Sequence, residues 1–384
     1  MGKFNLKVLL LLSAGHMVVD IYQGALPTVL PFLKDRLGLS YTMAGVILIM
    51  ANLTSSIIQP LFGFLSDKKE KGFLLPLGTF LAGTGFALLA TTSNFAMILL
   101  LVTISGLGIA SYHPEGFKTA SFFTGPRKAT GMSVFSVGGN TGMALGPILA
   151  LSIINYRGFD SLPMIAIPAL AFTAAILILR KQVALPEGAG AAVRAAAGKT
   201  VDHAYRWLTL LISVIVMRTW TQIGFISYIS FYHINYLKGD PVFAGKLVSL
   251  FLLGGAAGTL LGAPLADRWG HRFWLRFTML ASGCIFPLIF FVEGWLLFVT
   301  VTVMGMILIS TFSVSVVLGQ KLLPRNLGVA SGLIVGFAIG TGGIGVTLLG
   351  VVADHFGVPA ALKTIGILPF IGFLLAMFLK YPEE

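Results

Sequence analysis

The chain is 384 residues long, 56% hydrophobic and only 10% charged, where a soluble globular protein carries about 25% charged residues. Its mean hydropathy is +0.92, and 26 Lys and Arg against 14 Asp and Glu leave a net charge of +12. This composition excludes a soluble enzyme, a disordered chain and a nucleic-acid-binding domain, and leaves a polytopic protein whose surroundings are the lipid bilayer.

The N-terminal stretch has Lys3 and Lys7, then apolar residues from Val8 to about Leu33. A signal peptide has a shorter apolar region and a small-residue cleavage site, so this stretch reads as a first transmembrane helix. A helix needs about 20 residues to cross the hydrocarbon core. Twelve apolar segments meet that length, at 8–33, 41–65, 73–93, 95–123, 128–154 and 161–180, then 205–236, 243–266, 273–292, 295–320, 326–353 and 358–380. Their runs are continuously apolar, without the alternation of a transmembrane β-barrel. The gap from Lys181 to Ala204 is rich in Ala and Gly and reads as a cytoplasmic linker between six-helix bundles at 1–180 and 205–384. The predicted fold is therefore an all-α membrane protein with twelve transmembrane helices.

Basic residues set the orientation. With the N-terminus inside, 18 Lys and Arg fall in cytoplasmic gaps and termini and 6 in outside gaps. The positive-inside rule then puts both termini in the cytoplasm, and the expected location is the cell inner membrane. Lys118 and Arg218 remain inside spans.

The halves repeat. Gly63-Phe-Leu-Ser-Asp67-Lys68-Lys69-Glu70-Lys71 closes the second segment, and Ala263-Pro-Leu-Ala-Asp267-Arg268-Trp269-Gly270-His271-Arg272 closes the eighth. Pro126-Arg127 opens the fifth segment and Pro324-Arg325 the eleventh. Pseudo-symmetric bundles repeated in this way are a transporter architecture, with the substrate site expected near mid-membrane.

These motifs resemble the major facilitator superfamily, whose loop motif is matched by Gly63, Asp67, Lys68 and Lys71 and again by Asp267, Arg268 and Arg272. Gly142-Met-Ala-Leu-Gly146-Pro147 in the fifth segment is similar to the Gly-Pro motif of antiporters in that superfamily, with Ala150-Leu151 where Gly-Gly is usual. A closer resemblance, to the fosmidomycin-resistance-type branch, is carried by His16-x-x-x-Asp20-x-Tyr22-Gln23-Gly24-x-x-Pro27, His113-Pro114-Glu115 and Gly138-Gly139-Asn140-x-Gly142. The resemblance implies proton-coupled drug efflux and hence antibiotic resistance.

Ionisable groups inside spans are the first mechanistic candidates, because a charge at mid-bilayer needs a partner, water or a neutralising proton. His16, Asp20, Gln23 and Pro27 share one helical face. Asp20 and Glu115, with His113 and His16, are the expected proton-coupling residues. Arg218 keeps its charge and needs an anion. A substrate carboxylate or phosphonate would supply one; a permanent pair with Asp20 or Glu115 is the alternative. Gln23, Tyr22, Asn140, Gln222 and Tyr228 are further substrate-binding candidates. Asp67 is expected to form a gating latch through backbone N–H and arginine contacts. Gly-rich ridges in the fifth, eighth and eleventh segments are expected to let helices approach closely.

The chain has no P-loop pattern, and a single cysteine, Cys284. An enzyme, a metal site and a bound cofactor are not expected; the proton gradient would be the energy source. The expectation is a monomeric antiporter that exports a small polar or anionic drug-like compound by alternating access. A proton symporter importing an organic anion or other small metabolite is the alternative.

Overall fold

Lipid offers the backbone no hydrogen bonds, so a spanning segment must satisfy its own N–H and C=O groups as a helix. The computed structural model describes residues 4–39, 41–68, 72–184 and 203–380. Among these there is no strand, and 12 helices are long and apolar enough to cross a membrane. They are α1 (Leu6–Leu37), α2 (Met43–Lys68), α3 (Leu74–Thr91), α4 (Phe95–Phe123), α5 (Lys128–Arg157) and α6 (Phe159–Ile178). Then come α7 (Ala204–Ile234), α8 (Phe243–Trp269), α9 (His271–Phe290), α10 (Gly294–Leu322), α11 (Leu327–Phe356) and α12 (Val358–Met377). Each predicted segment has its helix. The side chain of Asn5 accepts the N–H of Val8 to start α1. Gly38, at φ +61°, ends it in the left-handed conformation that glycine adopts without penalty.

The distribution of side chains inverts that of a water-soluble protein. Large apolar groups such as Ile49, Ile178 and Leu253 are exposed, whereas His16, Asp20, Gln59, His113, Glu115, Lys118 and Arg218 are buried. Outward apolar and inward polar is the arrangement lipid demands.

The chain divides into two units. The first comprises residues 1–126, 134–198 and 324–337, and the second residues 127–133, 199–323 and 338–384. This differs from the predicted cuts at 180 and 205 by the placement of two helix starts. The start of α11 belongs to the first unit because Asp67 holds it, and the start of α5 to the second because Asp267 holds it. Most of the predicted linker, residues 185–202, lies outside the described residues.

In the first unit the ridge Gly138, Gly142 and Gly146 of α5 lies on α1. A Cβ at these positions would overlap the carbonyls of Ser13, Met17 and Ile21. In the second unit Gly254 and Gly258 of α8 meet the carbonyls of Thr302 and Met306 on α10 in the same way. Backbones this close gain van der Waals contact, the main attraction available between helices in lipid.

Among the described residues three π-helical turns interrupt the regular ladder, at Leu53–Ile57 in α2, at Tyr232–Tyr236 reaching past the end of α7, and at Gly332–Ala338 in α11. Such a turn rotates every following side chain relative to a regular helix and often marks a functional site. Hydrophobic runs alone do not reveal it.

Candidate functional site

The site in the first unit starts from helical spacing. His16 and Asp20 are four residues apart, so one turn brings His16 Nε2 to 3.3 Å from Asp20 Oδ2. From α4, which continues through Pro114, His113 places Nε2 2.9 Å from Asp20 Oδ1. One carboxylate thus bridges two imidazoles, and all three residues are at least nine-tenths buried. The far nitrogens are also engaged. His16 Nδ1 lies 3.0 Å from the Phe135 carbonyl of α5, and His113 Nδ1 lies 3.1 Å from the amide nitrogen of Gln59 on α2. Phe135 stacks on His16 at 4.5 Å between ring centres, with Phe117 edge-on at 5.6 Å. The three residues offer ligand atoms within 4.8 Å of one another, a spacing that a proton or a metal ion suits.

Gln59 is the member that sequence reasoning missed. It is buried at 2% exposure directly after the π-helical turn of α2. The available signal was an amide, between Ile58 and Pro60, at the end of a polar interruption (Asn52, Thr54, Ser55, Ser56) of a predicted span.

Glu115 belongs to a different group. Two residues from His113, it faces away from Asp20 and lies 3.9 Å from Lys118 Nζ. Lys118 donates to the carbonyl of Ser66 and, at 3.1 Å, to its hydroxyl. Glu115 is therefore grouped with the end of α2 that carries Asp67, one residue beyond Ser66.

Two of the expected substrate contacts have their hydroxyls engaged within the protein. Tyr22 is 1% exposed, packs on Phe86 and donates its hydroxyl to the Ile165 carbonyl at 3.0 Å. Tyr228 is 7% exposed and donates to the Val346 carbonyl at 3.1 Å. Both hydroxyls are spent on tying helices together. Gln23 and Gln222 are half-buried and Asn140 is exposed. Gly142, Gly146 and Pro147 lie in α5, the two glycines in its contact with α1.

In the second unit Arg218 sits in α7 at 2% exposure. Its Nη2 donates to Thr219 Oγ1 at 3.2 Å, and its guanidinium lies 5.8 Å from the ring centre of Phe312. Nε and Nη1 have no hydrogen-bond partner among the described residues. A buried, always-charged fork with two idle donors suits a carboxylate or phosphonate.

The two loop motifs cap helices. Asp67 accepts the peptide N–H groups of Gly328 and Val329, both at 2.9 Å. Gly63 makes that approach possible, since a Cβ there would overlap the Gly328 carbonyl. Asp267 accepts the N–H groups of Ala129 at 2.9 Å and Thr130 at 2.8 Å, with the Thr130 hydroxyl at 2.7 Å and His271 Nε2 at 3.1 Å. The side chains on Asp267 are thus a threonine and a histidine. Arg268 is exposed and Arg272 half-buried. Lys68 is exposed over the Phe64 ring at 4.3 Å, and Lys71 lies outside the described residues.

Comparison with known proteins agrees with this architecture. The family model of the Major Facilitator Superfamily matches residues 12–343 and 234–384. The chain is 32% identical over 376 residues to an uncharacterised MFS-type transporter, YfnC, of Bacillus subtilis, covering 96% of this chain and 91% of the relative. It is 30% identical over 377 residues to the fosmidomycin resistance protein of Escherichia coli, with the same 96% and 91% coverage. Among solved structures, the Escherichia coli fucose:proton symporter FucP superposes with a TM-score of 0.74 over 97% of this chain and 98% of its own, at 17% identity. With that fold, the repeated loop motif and matches spanning the chain, the protein belongs to the Major Facilitator Superfamily and is a transporter of that family.

Proposed function

We propose that the protein is a proton-coupled antiporter that exports a small, polar, anionic compound across the inner membrane by alternating access. The observation that carries the reading is the His16–Asp20–His113 cluster, a buried carboxylate held between two imidazoles. A group that must be ionised in one step and neutral in another is how a proton is carried through lipid. Glu115, paired with Lys118 and buried beside the Asp67 latch, is the second candidate carrier.

Arg218 supports an anionic cargo. Its idle Nε and Nη1 are the donors that a phosphonate or carboxylate would take. The relative named for fosmidomycin resistance points the same way, toward a phosphonate drug. Gln222, one turn on from Arg218, would add an amide contact, and Gln23 and Asn140 would add others in the first unit. Protonation of the carboxylates from outside would favour one state of the carrier and substrate the other, each shifting populations by its differential affinity. The chain would work as a monomer, with both termini cytoplasmic and no bound cofactor.

Proteoliposomes test the reading with fosmidomycin as cargo. Protein inserted with its cytoplasmic face outward should accumulate drug when the lumen is acidic, as protons leave in exchange. Accumulation driven by an alkaline lumen would establish the symport alternative. Transport that ignores the gradient, or that survives Asp20→Asn combined with Glu115→Gln, rejects proton coupling.

A further inference from the structure

Hydrogen-bond polarity goes further than distance at the buried cluster. We infer that Gln59 fixes where the protons sit among His113, Asp20 and His16, and confines the exchangeable proton to the contact between His16 Nε2 and Asp20 Oδ2. The inference deepens the proton-coupling reading above and rests on it for its use in transport.

The amide nitrogen of Gln59 is 2.7 Å from the Ser55 carbonyl oxygen and 3.1 Å from His113 Nδ1. At 2.7 Å a carbonyl oxygen requires a donor; turning the amide over would set oxygen against oxygen. One amide hydrogen therefore goes to Ser55 and the other to His113. His113 Nδ1 must then be a bare acceptor. A neutral imidazole with a bare Nδ1 carries its hydrogen on Nε2, and that hydrogen is donated to Asp20 Oδ1 at 2.9 Å.

The other side of the carboxylate has the opposite polarity. His16 Nδ1 faces the Phe135 carbonyl at 3.0 Å. A carbonyl only accepts, so His16 Nδ1 carries a hydrogen, and neutral His16 would turn a bare Nε2 toward Asp20 Oδ2, 3.3 Å away. Two lone pairs facing each other in a buried site repel. One proton resolves this, either on His16 as imidazolium or on Asp20 as the acid. A second proton would have to go to His113 Nδ1, against the amide hydrogen of Gln59. The cluster therefore holds one transferable proton, and its position is set by a residue that does not ionise.

The surroundings keep the assignment closed. A Cβ at Gly139 of α5 would overlap both His16 Nε2 and, at 2.6 Å, Asp20 Oδ2, so backbone covers the proton's seat. From α4, Tyr112 gives its hydroxyl to the Leu12 carbonyl at 2.8 Å, and Glu115 and Lys118 face the end of α2. α2 presents Gln59 and α5 the Phe135 carbonyl, both uncharged. A metal ion bridging the three residues would need a bare Nε2 on His113, where Gln59 keeps a hydrogen.

Gln59 is itself held. Its Oε1 is buried with no hydrogen-bond partner, a cost that only firm packing sustains. Its side chain stands against the π-helical turn of α11, where a Cβ on Gly336 would overlap Gln59 Cβ. A change in that turn would release Gln59 and free His113 Nδ1 to accept a proton.

Nitrogen-15 spectra of protein labelled at its 6 histidines test the inference, with His113→Gln and His16→Gln variants for assignment. In the unsubstituted protein His113 should show a bare Nδ1 and a protonated Nε2, and His16 a protonated Nδ1. In Gln59→Leu, His113 should keep its hydrogen on Nε2 against Asp20 while Nδ1, no longer facing a donor, takes a second proton as the pH falls; in Gln59→Glu the carboxylate accepts instead and His113 should become doubly protonated. Zinc ions should leave the His113 signals in place. A protonated Nδ1 on His113 in the unsubstituted protein, a zinc-induced shift there, or a Gln59→Leu spectrum unchanged at His113 would each overturn the inference. The unsubstituted spectrum decides even if a variant fails to fold. The tautomers are read without transport, so failure of antiport in liposomes and failure of this assignment are separate results.

Discussion

Asp67 at the end of α2 and Gly328 in the first turn of α11 are joined by a hydrogen bond of 2.9 Å from peptide N–H to carboxylate, and Val329 donates to the other oxygen at the same distance. Asp267 at the end of α8 does the same for Ala129 and Thr130 at the start of α5. The first N–H groups of a helix have no partner within it, and they form the positive end of its dipole. A carboxylate there satisfies two of them and meets the partial charge. Sequence repetition and hydrogen bonding agree: each copy of the motif caps a helix start in the other half of the sequence. A contact of this kind is made or broken as a unit, which is what a gate requires.

Replacing Asp67 by Ala removes a helix cap worth about 1 kcal/mol. Amide exchange at Gly328 and Val329 should quicken about fivefold, and Asp267→Ala should do the same for Ala129 and Thr130. Lys68→Ala, at an exposed residue that packs on Phe64, should leave both sites unchanged. Hydrogen exchange read by mass spectrometry decides, and equal rates in Asp67→Ala and the unsubstituted protein would remove the cap from the account.

Asp20→Asn should separate folding from coupling. Its Oδ1 still accepts from His113 Nε2, and the amide hydrogen takes the place of the proton on His16 Nε2. The variant imitates a permanently protonated site, so thermal stability should change little while substrate exchange loses its dependence on pH. Asp20→Ala instead strands a buried donor on His113, at about 1–3 kcal/mol, and should lower the melting temperature. Two variants of equal stability would mean that the carboxylate does not bridge the imidazoles.

How far the sequence carried these arguments depended on the range of the interaction. Helix positions follow from apolar length, and the His16–Asp20 contact from four-residue spacing on one helix. The capping role of Asp67 was legible because the motif recurs. What remained hidden required knowing which helices touch. Tyr22 shares a stretch with Asp20, yet its hydroxyl goes to Ile165 on α6. Gln59 reaches His113 only because the π-helical turn Leu53–Ile57 resets the phase of α2, and no run of hydrophobic residues encodes that extra residue in the turn. Lys118 lies near Glu115 as the three-residue spacing allows, whereas its hydrogen bonds to Ser66 on α2 could not be read from the sequence.

Glycines give a prediction in which position alone matters. Gly139 and Gly343 both lie in helices of the repeat. A Cβ at Gly139 meets His16 and Asp20, whereas one at Gly343 meets nothing within 4 Å. Gly139→Ala should force the cluster apart and abolish pH-dependent exchange, with a cost of about 1–3 kcal/mol from overpacking. Gly343→Ala should be neutral or slightly stabilising, since alanine favours the helix by up to about 1 kcal/mol. Melting curves and liposome exchange on the two variants check this. A tolerated Gly139→Ala would show that α5 does not close over the proton's seat.

Arg218 gives the prediction with the clearest opposition of signs. A buried guanidinium with two idle donors among the described residues is only partly compensated, by Thr219 and the Phe312 ring, and the desolvation penalty for a buried ion is several kcal/mol. If the missing partner is an anionic substrate, the empty protein carries strain that the cargo relieves. Arg218→Met, which keeps the length and removes the charge, should therefore stabilise the empty protein by about 1–4 kcal/mol. The same substitution should weaken binding of a phosphonate or carboxylate by about 10–100-fold, because a hydrogen bond to a charged group is worth about 1.5–3 kcal/mol. Arg218→Lys keeps the charge but loses the planar fork, and its affinity should fall between the two. Thermal shift with and without fosmidomycin reads both quantities at once: the unsubstituted protein should melt lower than Arg218→Met when empty and gain more from ligand. An Arg218→Met protein that melts lower when empty, with its ligand response intact, would show that the guanidinium serves the fold and not the cargo.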